Sequence, residues 1–75
     1  MKYKKQIFLN EVNEIKDFVK HAEKCVDSVT VYSSEGYIVN GKSIMGLLSL
    51  DLSKPVEVEY NQSVDEQFDK HMSKF

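Results

Sequence analysis

The sequence predicts an α+β fold: an open-faced β-sandwich in which a four-stranded, mostly antiparallel sheet carries three helices on one face, in the order β-α-β-β-α-β-α. Three observations predict it. Val56, Val58 and Tyr60 alternate with Glu57 and Glu59, the period-two pattern of a strand with one buried face. Ile15, Phe18, Val19, Ala22 and Val26 recur at i, i+3, i+4, i+7 and i+11, which lines them along one helical stripe. Finally, short elements of both kinds alternate through 75 residues without repeat, linker or low-complexity tract. One sheet and one helical layer must therefore share a single core, and residues 1–75 read as one domain.

The elements follow in order. Lys2 to Leu9 reads as a strand with Ile7 and Leu9 on one face. Asn10 suits the cap of the first helix, which runs to about Cys25. Ser28-Val29-Thr30-Val31-Tyr32 alternates with β-branched and aromatic residues; Ser33-Ser34-Glu35-Gly36 supplies a turn, and Tyr37-Ile38-Val39 completes a hairpin. Ser43 opens a short helical run in which Ile44, Leu47, Leu48 and Leu50 are apolar, ending at Ser53-Lys54-Pro55. The strand around Val56 to Tyr60 comes next, its outer face made acidic and solvated by Glu57 and Glu59. Ser63-Val64-Asp65-Glu66 fits an S-x-x-E capping box, and Val64, Phe68, Met72 and Phe75 place the last stripe.

Composition narrows the function classes. With 41% hydrophobic and 29% charged residues, the chain carries enough apolar material to fold and is unlike a disordered segment. The net charge of −2 comes from interspersed acids and bases, with no basic stripe to neutralise a phosphate backbone, so no nucleic-acid partner is expected. Cys25 is the single cysteine, which rules out an intrachain disulfide and suits a reducing, cytoplasmic setting. The apolar run Ile7-Phe8-Leu9 is too short for an export signal, and no stretch approaches the roughly 20 residues of a membrane span. No export and no membrane association are expected.

One motif needs testing. Gly36-Tyr37-Ile38-Val39-Asn40-Gly41-Lys42-Ser43 matches G-x-x-x-x-G-K-[ST], the phosphate-gripping pattern of nucleotide-binding enzymes. That loop wraps backbone amides round an anion, which favours small residues, and it leads into a long helix. Tyr37, Ile38 and Val39 are bulky strand formers, and Gly46 interrupts the helix that follows. The pattern is read as a coincidence, and the chain as no enzyme.

The same stretch has a closer match. Lys42-Ser43-Ile44-Met45-Gly46-Leu47-Leu48-Ser49-Leu50, with Lys54 and Glu57 following, resembles the regulatory segment of the HPr family, small phosphocarriers of the bacterial sugar phosphotransferase system. K-S-I-M-G-x-x-S-L is close to a signature of its Gram-positive members, and the family fold has the element order read above. Outside residues 42–60 the likeness is one of pattern, with Ile15, Phe18, Val19 and Ala22 at the core positions of the family's first helix.

The resemblance also has a gap. The family's carrier histidine lies in an H-A-R-P motif opening the first helix; the residues aligned with it are Glu11-Val12-Asn13-Glu14. Glu11 offers neither imidazole nor cation, and Glu14 and Asp17 add charge that repels a phosphoryl group. The resemblance therefore implies a variant like the catabolite-repression HPr that lacks the histidine. It implies phosphorylation of Ser43 by HPr kinase/phosphorylase and binding to a catabolite control regulator through a patch of Ile44, Met45 and Leu48. A carrier using a non-standard residue, such as an acyl phosphate on Glu11, is the alternative function. Position alone reads more plainly: Ser43 as a helix N-cap worth about 1 kcal/mol, and the apolar residues as core filling. His21 reads as a surface side chain, His71 as a boundary one, and Cys25 as a helix-end filler. For want of a carboxylate or cysteine at ligand spacing from either histidine, no metal site and no cofactor are expected.

Overall fold

Alternation and helical periodicity are realised in the anticipated order. The computed structural model describes residues 2–75 as β1 (Lys2–Ile7), α1 (Val12–Glu23), β2 (Thr30–Ser33), β3 (Ile38–Asn40), α2 (Ile44–Leu48), β4 (Val56–Asn61) and α3 (Glu66–Met72). The strands form one sheet in the order β1-β4-β2-β3, and every pairing is antiparallel. β4, late in the sequence, is inserted between β1 and β2, with Val58 opposite Lys5 on one side and Val31 on the other. Its cleaner alternation has a cause: a strand paired on both edges must present a strictly one-sided apolar face. Val56, Val58 and Tyr60 are all buried.

The helices cover that face. Ile15, Phe18, Val19 and Ala22 from α1, Leu47 from α2, and Phe68 and Met72 from α3 join Ile7, Leu9, Val29 and Val31 in one core. A chain of edge-to-face aromatic contacts ties the layers together. Phe68 lies 5.6 Å from Phe18 and 5.1 Å from Tyr60, so α3 is locked to α1 and to β4 at one point. Such pairs contribute about 0.5–1.5 kcal/mol beyond the area they bury. The Tyr60 hydroxyl, carried under the helices, donates to Asp69 at 2.5 Å. Burial first, and that bond second, push its ionisation well above the ordinary tyrosine range. The opposite sheet face is solvated, as the sequence predicts. There Tyr32 donates to Glu59 at 3.0 Å, and the Lys4 ammonium lies 5.1 Å from the Tyr32 ring centroid.

Strand ends shift by one or two residues, β1 stopping at Ile7 and not Leu9, and helix ends depart from the sequence reading in four places. Glu11, not Asn10, caps α1, and its backbone N–H donates to the Glu14 carboxylate at 3.2 Å. α1 stops at Glu23, so Val26 falls beyond the helix and is 84% exposed. α2 stops at Leu48 and does not reach Ser53; Ser49 Oγ donates to the Gly46 carbonyl at 2.6 Å and the chain turns away. The expected capping box at Ser63 does not form either. Asp65 is the N-cap of α3, while Ser63 Oγ donates to the Asn61 side chain at 3.0 Å, and Val64 is exposed.

The buried Asp65 has a different task. Its two carboxylate oxygens accept the backbone amides of Val26 at 2.7 Å and Asp27 at 3.1 Å. A carboxylate at the start of α3 thereby fixes the link between α1 and β2, whose amides would otherwise lack partners. Lys5 makes a matching tie across the sheet, donating to the Met72 carbonyl at the end of α3 at 2.7 Å.

Candidate functional site

The G-x-x-x-x-G-K-[ST] match is not a phosphate loop. Ile38–Asn40 runs as a strand paired with β2, with Val39 opposite Val31. The amides such a loop would aim at an anion are spent. Gly41 N–H donates to the Val29 carbonyl at 2.7 Å, Lys42 N–H to Asn40 Oδ1 at 2.9 Å, and Ser43 N–H to the Asn40 carbonyl at 3.0 Å. The Lys42 ammonium, too, is engaged, on the Cys25 carbonyl at 3.0 Å. Gly41 is present for packing: a Cβ there would stand 2.5 Å from Val29 Cγ1. Gly36, at φ +94°, turns the chain between β2 and β3.

Ser43 occupies the N-cap of α2. Its Oγ accepts the Gly46 amide at 3.2 Å, the geometry of a capping serine. The residue is half-buried. The three apolar residues expected beside it divide. Met45 is 80% exposed and Leu48 is 48% exposed, whereas Ile44 packs partly against the core and leaves the outer patch to the other two. Leu47 and Leu50 point inward.

At the other helix start Glu11 is exposed, and its own amide is held by Glu14. Acidic side chains stand where an incoming phosphoryl group would need positive charge.

The fold also assembles a group that the sequence reading set aside. His21, on α1, and His71, on α3, stack face to face with ring centroids 3.7 Å apart and planes 3° apart. His71 is no boundary residue: it is 8% exposed, and the Phe75 ring stands nearly perpendicular to it with centroids 5.5 Å apart. A carboxylate does stand at ligand spacing. Asp17 precedes His21 by one helical turn, and its Oδ2 lies 3.3 Å from His71 Nε2. His21 Nδ1 is 2.8 Å from the Asp17 carbonyl and 3.6 Å from Asp17 Oδ1. One ligand atom each from Asp17, His21 and His71 lies within 4.8 Å of the others. His71 Nε2, though near the carboxylate, makes no hydrogen bond; among the described residues it is the one buried side-chain nitrogen or oxygen left without a partner.

Electrostatics there follow from burial. Desolvation, then repulsion from His21, lowers the His71 pKa below its ordinary 6.5, while Asp17 pulls the other way. Beside the pair runs a groove of about 700 Å³ whose walls include Lys24, Cys25, Phe68, Lys70 and Lys74. Burial pushes the Cys25 thiol up to about 11, so it is protonated and unreactive near neutral pH. The sequence did carry a signal for part of this cluster. Asp17-x-x-x-His21 is a carboxylate and an imidazole on one helix face, visible from spacing alone.

No helix is long and apolar enough among the described residues to cross a membrane. Comparison with known proteins yields neither a family model nor a curated protein that matches the chain.

Proposed function

We propose that this chain is an HPr-like regulatory or interaction protein of the cytoplasm, without the carrier histidine, that acts through phosphorylation of Ser43 and the apolar surface of Met45 and Leu48. The observation that supports it most is the conjunction at α2. The run Lys42-Ser43-Ile44-Met45-Gly46 that resembles the family's regulatory segment opens a helix capped by the Ser43 hydroxyl, with Ser43 half-buried and Met45 80% exposed two positions on. Methionine and leucine left in water beside a modifiable serine make a partner surface whose affinity a phosphate can change. The partners on this reading are proteins: HPr kinase/phosphorylase and a catabolite control regulator.

Incubation with ATP and HPr kinase/phosphorylase should add one acid-stable phosphate, and Ser43→Ala should abolish it. Absence of incorporation would remove the regulatory reading. An acid-labile phosphate acquired from phosphoenolpyruvate and Enzyme I would instead support a carrier that uses a non-standard residue.

A further inference from the structure

A buried imidazole nitrogen without a hydrogen-bond partner is costly, because it has given up water and received nothing in exchange. His71 Nε2 is such an atom, and ligand atoms of a carboxylate and a second imidazole lie within 4.8 Å of it. The Asp17 oxygen 3.3 Å away does not complete a hydrogen bond with it, although an exposed aspartate on a helix has the freedom to turn. Two nitrogen donors and one carboxylate form the set that late first-row dications prefer, and a set poorly suited to calcium or magnesium.

We propose that Asp17, His21 and His71 form a binding site for a divalent transition metal of the zinc class, joining α1 to α3. The ligands are His71 Nε2, one Asp17 carboxylate oxygen and a ring nitrogen of His21, with a fourth position open to water. The distances fit. Tetrahedral zinc with bonds of roughly 2.0–2.2 Å holds its ligand atoms about 3.3–3.6 Å apart. Asp17 Oδ2 and His71 Nε2 already stand at 3.3 Å. His21 is the ligand that must adjust, because parallel rings direct their lone pairs side by side and a shared metal needs them to converge. It is free to do so: its side chain is 34% exposed, and a rotamer change releases the contact between Nδ1 and the Asp17 carbonyl. Asp17 and His21, one turn apart on α1, offer a chelate, and His71 closes it from α3. The buried nitrogen gains the partner it lacks. Because α1 lies early in the chain and α3 late, the metal also cross-links the two ends of the fold.

This site is independent of Ser43 and α2, so its test is separate from that of the regulatory reading. The full chain is titrated with Zn2+ by calorimetry at pH 7.5, and with Co2+ while its visible absorption is followed. One Zn2+ per chain, the intense visible bands of four-coordinate Co2+, and an unfolding midpoint that rises with free Zn2+ are expected. Asp17→Asn and His21→Asn should each weaken binding at least tenfold. Unfolding of each metal-free variant is followed alongside, and weakened binding in a variant that still unfolds cooperatively separates loss of a ligand from loss of the fold. Cys25→Ser should bind as the parent does. Failure to saturate below millimolar Zn2+, binding unchanged in either the Asp17 or the His21 variant, or binding abolished by Cys25→Ser would each overturn the assignment.

Discussion

The imidazole rings of His21 and His71 lie parallel, 3.7 Å between centroids, with the Asp17 carboxylate at their edge. Face-to-face stacking of two imidazoles tolerates the neutral forms and opposes a charge on both. The pairing thus has a consequence for stability as well as for ligand binding.

That consequence is a dependence on pH in the metal-free protein. His71 is held below its ordinary pKa of 6.5 by burial and then by His21, against the pull of Asp17, with Lys74 adding a small lowering from beyond α3. Above pH 6.5 the ring is neutral folded and unfolded, and the stabilisation is complete. As pH falls, the unfolded chain takes up the proton first, so stability declines from about pH 6.5 downward through the lower folded value. Urea unfolding in the presence of a chelator, at intervals from pH 7.5 to pH 5, should show this decline. A His71→Gln variant, less stable overall, should show a flatter profile over the same interval; an identical slope would remove His71 as its source.

Asp65 holds the α1–β2 link through two backbone amides, those of Val26 and Asp27. Replacing it with alanine leaves both donors without the acceptor, at about 1–3 kcal/mol for each donor left unsatisfied. Asp65→Ala should therefore lower the unfolding free energy by about 3 kcal/mol. Asp65→Asn keeps one acceptor oxygen and should cost about half as much. Chemical denaturation of the three proteins side by side gives the ranking, and equal stability of parent and alanine variant would refute this account of the link.

On α2, neighbouring leucines should respond in opposite ways. Leu47 is fully buried, so Leu47→Ala should cost about 2–5 kcal/mol. Leu48 and Met45 face solvent, and Leu48→Lys or Met45→Lys should leave stability within about 0.5 kcal/mol. Ser43→Ala removes the cap on Gly46 and should cost about 1 kcal/mol. On the proposed function the two lysine variants, folded as the parent, lose their partner; thermal melts and a binding assay on the same samples separate the two effects.

The sequence by itself determined the kind and order of the elements. Alternation at Val56, Val58 and Tyr60 and the stripe through Ile15, Phe18, Val19 and Ala22 are local patterns, and an element that must bury one face writes its period into the chain. Ser43 as a cap and Leu47 as core were legible for the same reason, since each depends on neighbours within a turn or two. Asp17 and His21 stand one turn apart in the sequence too, although no carboxylate was expected at ligand spacing from either histidine. Tertiary structure alone decided what met that pair. His71 arrives from another helix because Phe68 sets α3 against Phe18 of α1 and Tyr60 of β4, and Asp65 reaches Val26 and Asp27 through the same docking. Those contacts join residues far apart in sequence, where no periodicity links one partner to the other and only the packing of layers brings them into reach.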